Sequence, residues 1–101
     1  MKLWIDDIRP APDGYMTAQT VHYAISLILL AEELKAPIEL IDIDHDAGDF
    51  NKPRNGGDYI NVLKWLEETG RNYPIHIHSM NPVGVQNMRA IIKHNGWTEI
   101  F

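Results

Sequence analysis

Ile38-Glu39-Leu40-Ile41-Asp42-Ile43-Asp44-His45-Asp46-Ala47-Gly48-Asp49 is the stretch whose reading decides the fold. A short apolar run, Ile38, Leu40, Ile41 and Ile43, leads into Asp44-His45-Asp46 and then Gly48. That pattern is a buried strand delivering carboxylates and an imidazole to its C-terminal end, followed by a loop. Carboxylates this crowded need solvent, a cation or a shared proton. In an open α/β sheet, ligands gather outside the carboxyl ends of the strands. The stretch reads either as such a site or as a solvated acidic loop.

Working outward, Lys2 to Asp6 predicts a first strand that ends in the pair Asp6-Asp7. Ile8 to Gly14 holds two prolines and an Asp-Gly step, which makes it a loop. Tyr15 to Gln19 fits a short second strand. Thr20 suits the N-cap of a helix reaching about Lys35, with Val21, Ala24, Ile25, Ile28 and Ala31 at helical spacing. Asp58 to Thr69 predicts a second helix, Pro74 to Ser79 an alternating strand, Met80 to Gly84 a turn and Val85 to His94 a third helix. Trp97 to Phe101 fits a last edge strand. Strands alternating with helices mean βα units and a mostly parallel sheet of four to five strands.

The chain has 101 residues, which suits one domain over residues 1–101. Its formal charge of −5 and the absence of a basic run argue against binding an extended nucleic-acid backbone. With no cysteine, any metal must be held by Asp, His or Asn. Residues 1–20 carry no signal-peptide pattern, and the run from Ala24 to Ala31 is too short to span a bilayer. A cytoplasmic protein without membrane contact is expected.

Strand neighbours point to opposite faces. Leu3 and Ile5, Ile41 and Ile43, and Ile75 and Ile77 therefore share one apolar face. The other face takes Lys2, Trp4 and Asp6, then Leu40, Asp42 and Asp44, then His76 and His78. A doubly wound sheet is apolar on both sides, so this sheet is expected to carry its helices mainly on one face. Parity also brings Asp6, Asp44 and His78 together at three strand ends. One step deeper it sets Asp42 opposite His76, most simply as a buried acid–imidazole hydrogen bond. Trp4 and Leu40 on the polar face suggest a homodimer interface, unless the Ile8 to Gly14 loop folds over Trp4.

Asp6-Asp7-Ile8-Arg9-Pro10, Asp44-His45-Asp46 and His78-Ser79-Met80-Asn81-Pro82 stand in an order that resembles the cyclic-phosphate processing receiver family. The family carries D-D-x-R-P, D-H-D and H-S-x-N-P at these places, and the likeness covers nearly the whole chain. It implies a receiver-like, flavodoxin-like α/β fold whose first helix is lost here to an eight-residue loop. It also implies a proposed, not an established, action on cyclic phosphates. Ordinary receivers end their fifth strand with a lysine, and Trp97 to Phe101 has none. Phosphorelay is therefore the weaker expectation.

Asp6, Asp7 and Asp44 are the candidate ligands for Mg²⁺ or Mn²⁺, which favour hard oxygen donors. His45 and His78, with Asp46, are the candidate acid–base groups, since an imidazole changes charge near neutral pH. Arg9, Ser79, Asn81 and the amide of Gly84 are candidate contacts for a phosphate. The expected activity is that of a metal-assisted phosphoesterase on cyclic phosphates of nucleotides or RNA ends. Its rival is a non-catalytic receiver-like module that binds a small phosphorylated ligand or a partner.

Overall fold

The computed structural model describes residues 1–48 and 52–101. Asp49, which closes the stretch quoted above, lies outside the described residues. Along the chain run β1 (Lys2–Ile5), β2 (Tyr15–Ala18), α1 (Val21–Glu33), β3 (Leu40–Ile43), a short 3₁₀ turn at Pro53–Asn55, α2 (Ile60–Glu68), β4 (Ile75–Ile77) and α3 (Pro82–Asn95). The strands form one parallel sheet in the order β2-β1-β3-β4. That is the flavodoxin-like order, with no fifth strand among the described residues.

The alternating strands divide as their parity requires. Leu3, Ile5, Ile41, Ile43 and Ile75 are fully buried and form one core with Val21, Ala24 and Ile28 of α1, Val62, Leu63 and Leu66 of α2, and Met88 and Ile92 of α3. Each of the Val, Leu, Ile and Met side chains contributes about 1.5–3 kcal/mol by leaving water. All three helices thus pack on the same side of the sheet. Across the sheet, register aligns Trp4 with Asp42 and Asp42 with His76 on the side that these helices leave open.

Trp4 is nevertheless buried, and its cover comes from its own chain. Its indole Nε1 donates to the Arg9 carbonyl at 2.9 Å. Tyr15 meets it edge-on at 5.9 Å, and His78 stacks on it at 3.9 Å with the rings 6° from parallel. The Ile8 to Gly14 loop, bare of a helix, therefore folds over the sheet. Trp4 needs no second copy to cover it.

The strands are each shorter than the sequence expectation by one to three residues, and the helix boundaries shift as well. The first helix keeps its Thr20 cap, whose hydroxyl accepts from Tyr23 N–H, but ends at Glu33. α2 starts at Ile60 instead of Asp58: Asp58 and Tyr59 form a turn whose carbonyls accept from Asn61 and Val62 N–H, and the Asp58 carboxylate accepts from Ala47 N–H at 3.3 Å. α3 starts at Pro82, inside the segment read as a turn. Asn81 caps it by accepting from Gly84 N–H at 3.0 Å, and proline at the first helical position suits the missing donor.

The last expected strand is reduced to a single bridge between Ile75 and Glu99. Trp97 turns into the core after Gly96, and Glu99 is drawn into a two-pronged ion pair with Arg89 at 2.7–2.9 Å. No described helix is long and apolar enough to cross a membrane.

Candidate functional site

β2 leaves β1 on one side, and β4 joins β3 on the other. The carboxyl ends of β1 and β3 therefore flank the point where the winding reverses, where open α/β sheets form their ligand crevices. Ile8, Arg9, Asp44, Asp46, Gly48, Met80 and Asn81 line a crevice there of about 270 Å³. A larger hollow of about 500 Å³, beside Thr17, Gln19, Thr20 and Tyr23, has no carboxylate or basic group in its lining among the described residues. Chemistry favours the smaller space.

Asp6 and Asp7 point different ways, as neighbours leaving a strand do. Asp6 is 1% exposed. Its Oδ1 accepts the N–H groups of Ile8 at 2.9 Å and Arg9 at 3.2 Å, which starts the covering loop. Its Oδ2 meets His78 Nε2 at 2.9 Å. The other nitrogen of His78, Nδ1, meets Asp42 Oδ1 at 2.6 Å, and His76 Nδ1 reaches the same oxygen at 2.8 Å. Carboxylates only accept, so an imidazole bonded to one at each nitrogen carries both protons and a charge. Burial alone would lower the basicity of His78, but its bonds to Asp42 and Asp6 outweigh that and raise it. Burial would likewise raise the Asp42 carboxyl, yet bonds from His78 and then His76 hold it below the ordinary value. The expected Asp42–His76 bond is present within this larger relay.

Asp7 turns instead toward Gly48 and Tyr59. A Cβ on Gly48 would stand 2.6 Å from Asp7 Oδ2, and φ is +52° there, so glycine is required twice over. Asp7 Oδ1 is buried with no hydrogen-bond partner among the described residues. Burial pushes the Asp7 carboxyl up, and the charges of Asp6 and Asp44 push the same way. Tyr59, fully buried with its hydroxyl donating to the Gln19 carbonyl at 2.8 Å, is pushed up by burial and by Asp7.

His45 and Asp46 form the second cluster. His45 Nδ1 lies 2.8 Å from Asp46 Oδ1. Asn81 Nδ2 donates to the same carboxylate at 3.2 Å, and the bond from His45 holds Asp46 below the usual carboxylate range. The imidazole rests on α3 at Gly84, where a Cβ would stand 2.4 Å from the ring. His45 Nε2 has no hydrogen-bond partner among the described residues.

The sequence candidates thus separate into two groups. Asp46 and Asn81 line the crevice with Asp44 and Arg9, and His45 stands behind that lining, bonded to Asp46, while His78 is tied at both nitrogens. Arg9 spends one guanidinium nitrogen on the His78 carbonyl at 2.7 Å. Ser79 Oγ accepts Asn81 N–H at 3.1 Å, and Gly84 N–H is spent on the Asn81 cap. Gly84 therefore serves by making room for His45 instead of offering an amide to an anion.

Two groups of side chains bring three ligand atoms within 4.8 Å of one another: Asp42, His76 and His78, and His45, Asp46 and Asp58. These acid–imidazole groups could hold a metal ion. Asp6, Asp7 and Asp44 do not converge in this way, because His78 and two backbone amides engage Asp6. Sequence reasoning missed Asp58 and Tyr59. An aspartate at a helix start reads as a cap, and nothing in the local pattern marks Tyr59 as a neighbour of Asp7.

No curated protein and no solved structure matches the chain. With motifs on three adjacent strand ends and this sheet order, residues 1–94 match the model of the cyclic-phosphate processing receiver domain, and the chain belongs to that family.

Proposed function

We propose that this domain is a phosphoesterase that opens a cyclic phosphate in the crevice beside β1 and β3. The observation that carries the reading is the His45–Asp46 dyad. A carboxylate at 2.8 Å orients Nδ1, and the second ring nitrogen is left for a proton transfer. In the reaction, water attacks phosphorus and one ester bond to the sugar breaks. His45 takes the proton of the attacking water and then holds a proton that the departing sugar oxygen can receive. Arg9 keeps part of its fork of donors for the phosphate oxygens.

Asn81 acts in this scheme by holding Asp46, and His78 by fixing the Arg9 loop through Asp6 and its own carbonyl. A divalent cation suits Asp7 and Asp44. The partnerless buried oxygen of Asp7 supports that fit, as does a carboxyl raised by burial first and by the charges of Asp6 and Asp44 after it. Such a cation would supply positive charge to the phosphate.

One observation favours the rival reading of a module that binds without turnover. His78, the imidazole of the H-S-x-N-P motif, has both ring nitrogens occupied, which leaves Nε2 of His45, bonded to the crevice residue Asp46, as the ring nitrogen for proton transfer. Incubating the purified protein with 2′,3′- and 3′,5′-cyclic nucleotides in Mg²⁺, Mn²⁺ or EDTA separates the two. Metal-dependent monoester formation, lost in His45→Asn, supports the enzyme. Saturable binding with no product supports the module.

A further inference from the structure

We propose a separate transition-metal site on the helix-free face of the sheet, formed by Asp42 Oδ1, His76 Nδ1 and His78 Nδ1, with Zn²⁺ as its natural class of ion. This site does not rest on the phosphoesterase reading, with which it shares only His78, there a holder of the Arg9 loop. Three features of the chain carry it.

First, the ligand atoms converge on one point. Both imidazole nitrogens face a single oxygen of Asp42, at 2.6 and 2.8 Å, instead of sharing its two oxygens. Strand geometry enforces this: His76 and His78 are two apart on β4 and its end, and Asp42 pairs with His76 in register on β3. Two nitrogens and one carboxylate oxygen select Zn²⁺ and its neighbours over Mg²⁺.

Second, the supporting shell is already built. His78 Nε2 donates to Asp6 Oδ2 at 2.9 Å, and two backbone amides fix Asp6. That is the carboxylate–histidine arrangement that orients a metal-bound ring. Trp4, stacked on the ring at 3.9 Å, prevents it from turning. Third, the site has an approach. Asp42 and His78 are nearly buried, but the His76 side chain is 34% exposed on the face no helix covers. The ion takes the place of the protons on the two Nδ1 atoms, and solvent completes the coordination.

The test is a ZnCl₂ titration of EDTA-stripped protein, followed by calorimetry and by the imidazole ¹⁵N resonances of the wild type. The expected result is one ion per chain with the Nδ1 signals of His76 and His78 moving together, and loss of that binding in His76→Gln. No binding up to millimolar zinc overturns the site. So does zinc that moves His45 instead, or binding that survives His76→Gln. The wild-type spectra decide the matter even where the variant folds poorly.

Discussion

Replacing His78 by alanine should cost far more stability than an ordinary strand-end substitution. Asp6 and Asp42 are 1% and 5% exposed, and His78 carries the charge shared between them. Removing one partner of a buried ion pair costs about 3–5 kcal/mol, because the remaining charge stays buried. The stacking on Trp4 adds about 0.5–1.5 kcal/mol. His76 still serves Asp42, so Asp6 bears most of the loss. Against a typical stability of about 5–15 kcal/mol, the variant should be close to unfolding. With an m-value of about 1–3 kcal/mol/M, its urea midpoint should fall by roughly 1 M or more.

The same pair sets a pH window in metal-stripped protein. His78 is raised in the folded state, so its contribution is complete below its unfolded value of about 6.5 and is lost as pH rises through the higher folded value. Asp42 is lowered, so its contribution is complete above about 3.9 and is lost as pH falls through the lower folded value. The relay is therefore strongest between about pH 4 and about pH 6.5. Urea midpoints of the wild type in EDTA should decline on the alkaline side of that window, and His78→Ala should lack the decline. A loss below about 1 kcal/mol, no more than an average substitution, would falsify the charged relay. Equal alkaline limbs in the two proteins would do the same.

Gly84→Ala should lower Tm modestly, since overpacking costs about 1–3 kcal/mol while alanine favours a helix by about 0.5–1 kcal/mol over glycine. It should also cut turnover, because the added Cβ drives His45 from its seat; unchanged kcat with unchanged Tm contradicts the seat. His45→Asn should lower kcat about 10²–10⁴-fold with little change in ligand affinity, measured by steady-state kinetics and calorimetry. Mg²⁺ or Mn²⁺ should raise Tm, by about 2.7 kcal/mol of stability at a hundred times Kd, and Asp7→Asn should abolish most of the shift. The homodimer proposed from Trp4 and Leu40 is read by light scattering at tens of micromolar. A monomeric mass leaves Trp4 covered by its own chain, through Arg9, Tyr15 and His78.

Much of this arrangement was legible in strand parity. Alternation alone assigned Leu3, Ile5, Ile41 and Ile43 to the core and put Asp42 across from His76, because a strand has only two faces. The same rule, carried one residue further, separates Asp6 from Asp7. Adjacent residues leave a strand in opposite directions, so a D-D step does not offer two carboxylates to one ion by default. Which imidazole stays available was not legible. It depends on β1, β3 and β4 lying side by side, so that His78 falls between Asp6 and Asp42. It depends also on α3 starting at Pro82, which brings Gly84 and Asn81 against His45 and Asp46. Asn-Pro reads equally well as a turn or as a cap followed by a first helical residue, and only packing chooses between them.

The most direct test of the central claim follows a 2′,3′-cyclic nucleotide by ³¹P NMR in the presence of wild-type protein with Mg²⁺ or Mn²⁺. The account predicts that the cyclic-phosphate signal gives way to a monoester signal with wild type, and persists with His45→Asn and in EDTA. A cyclic signal that persists with the wild type as well, or one consumed equally by His45→Asn, contradicts it.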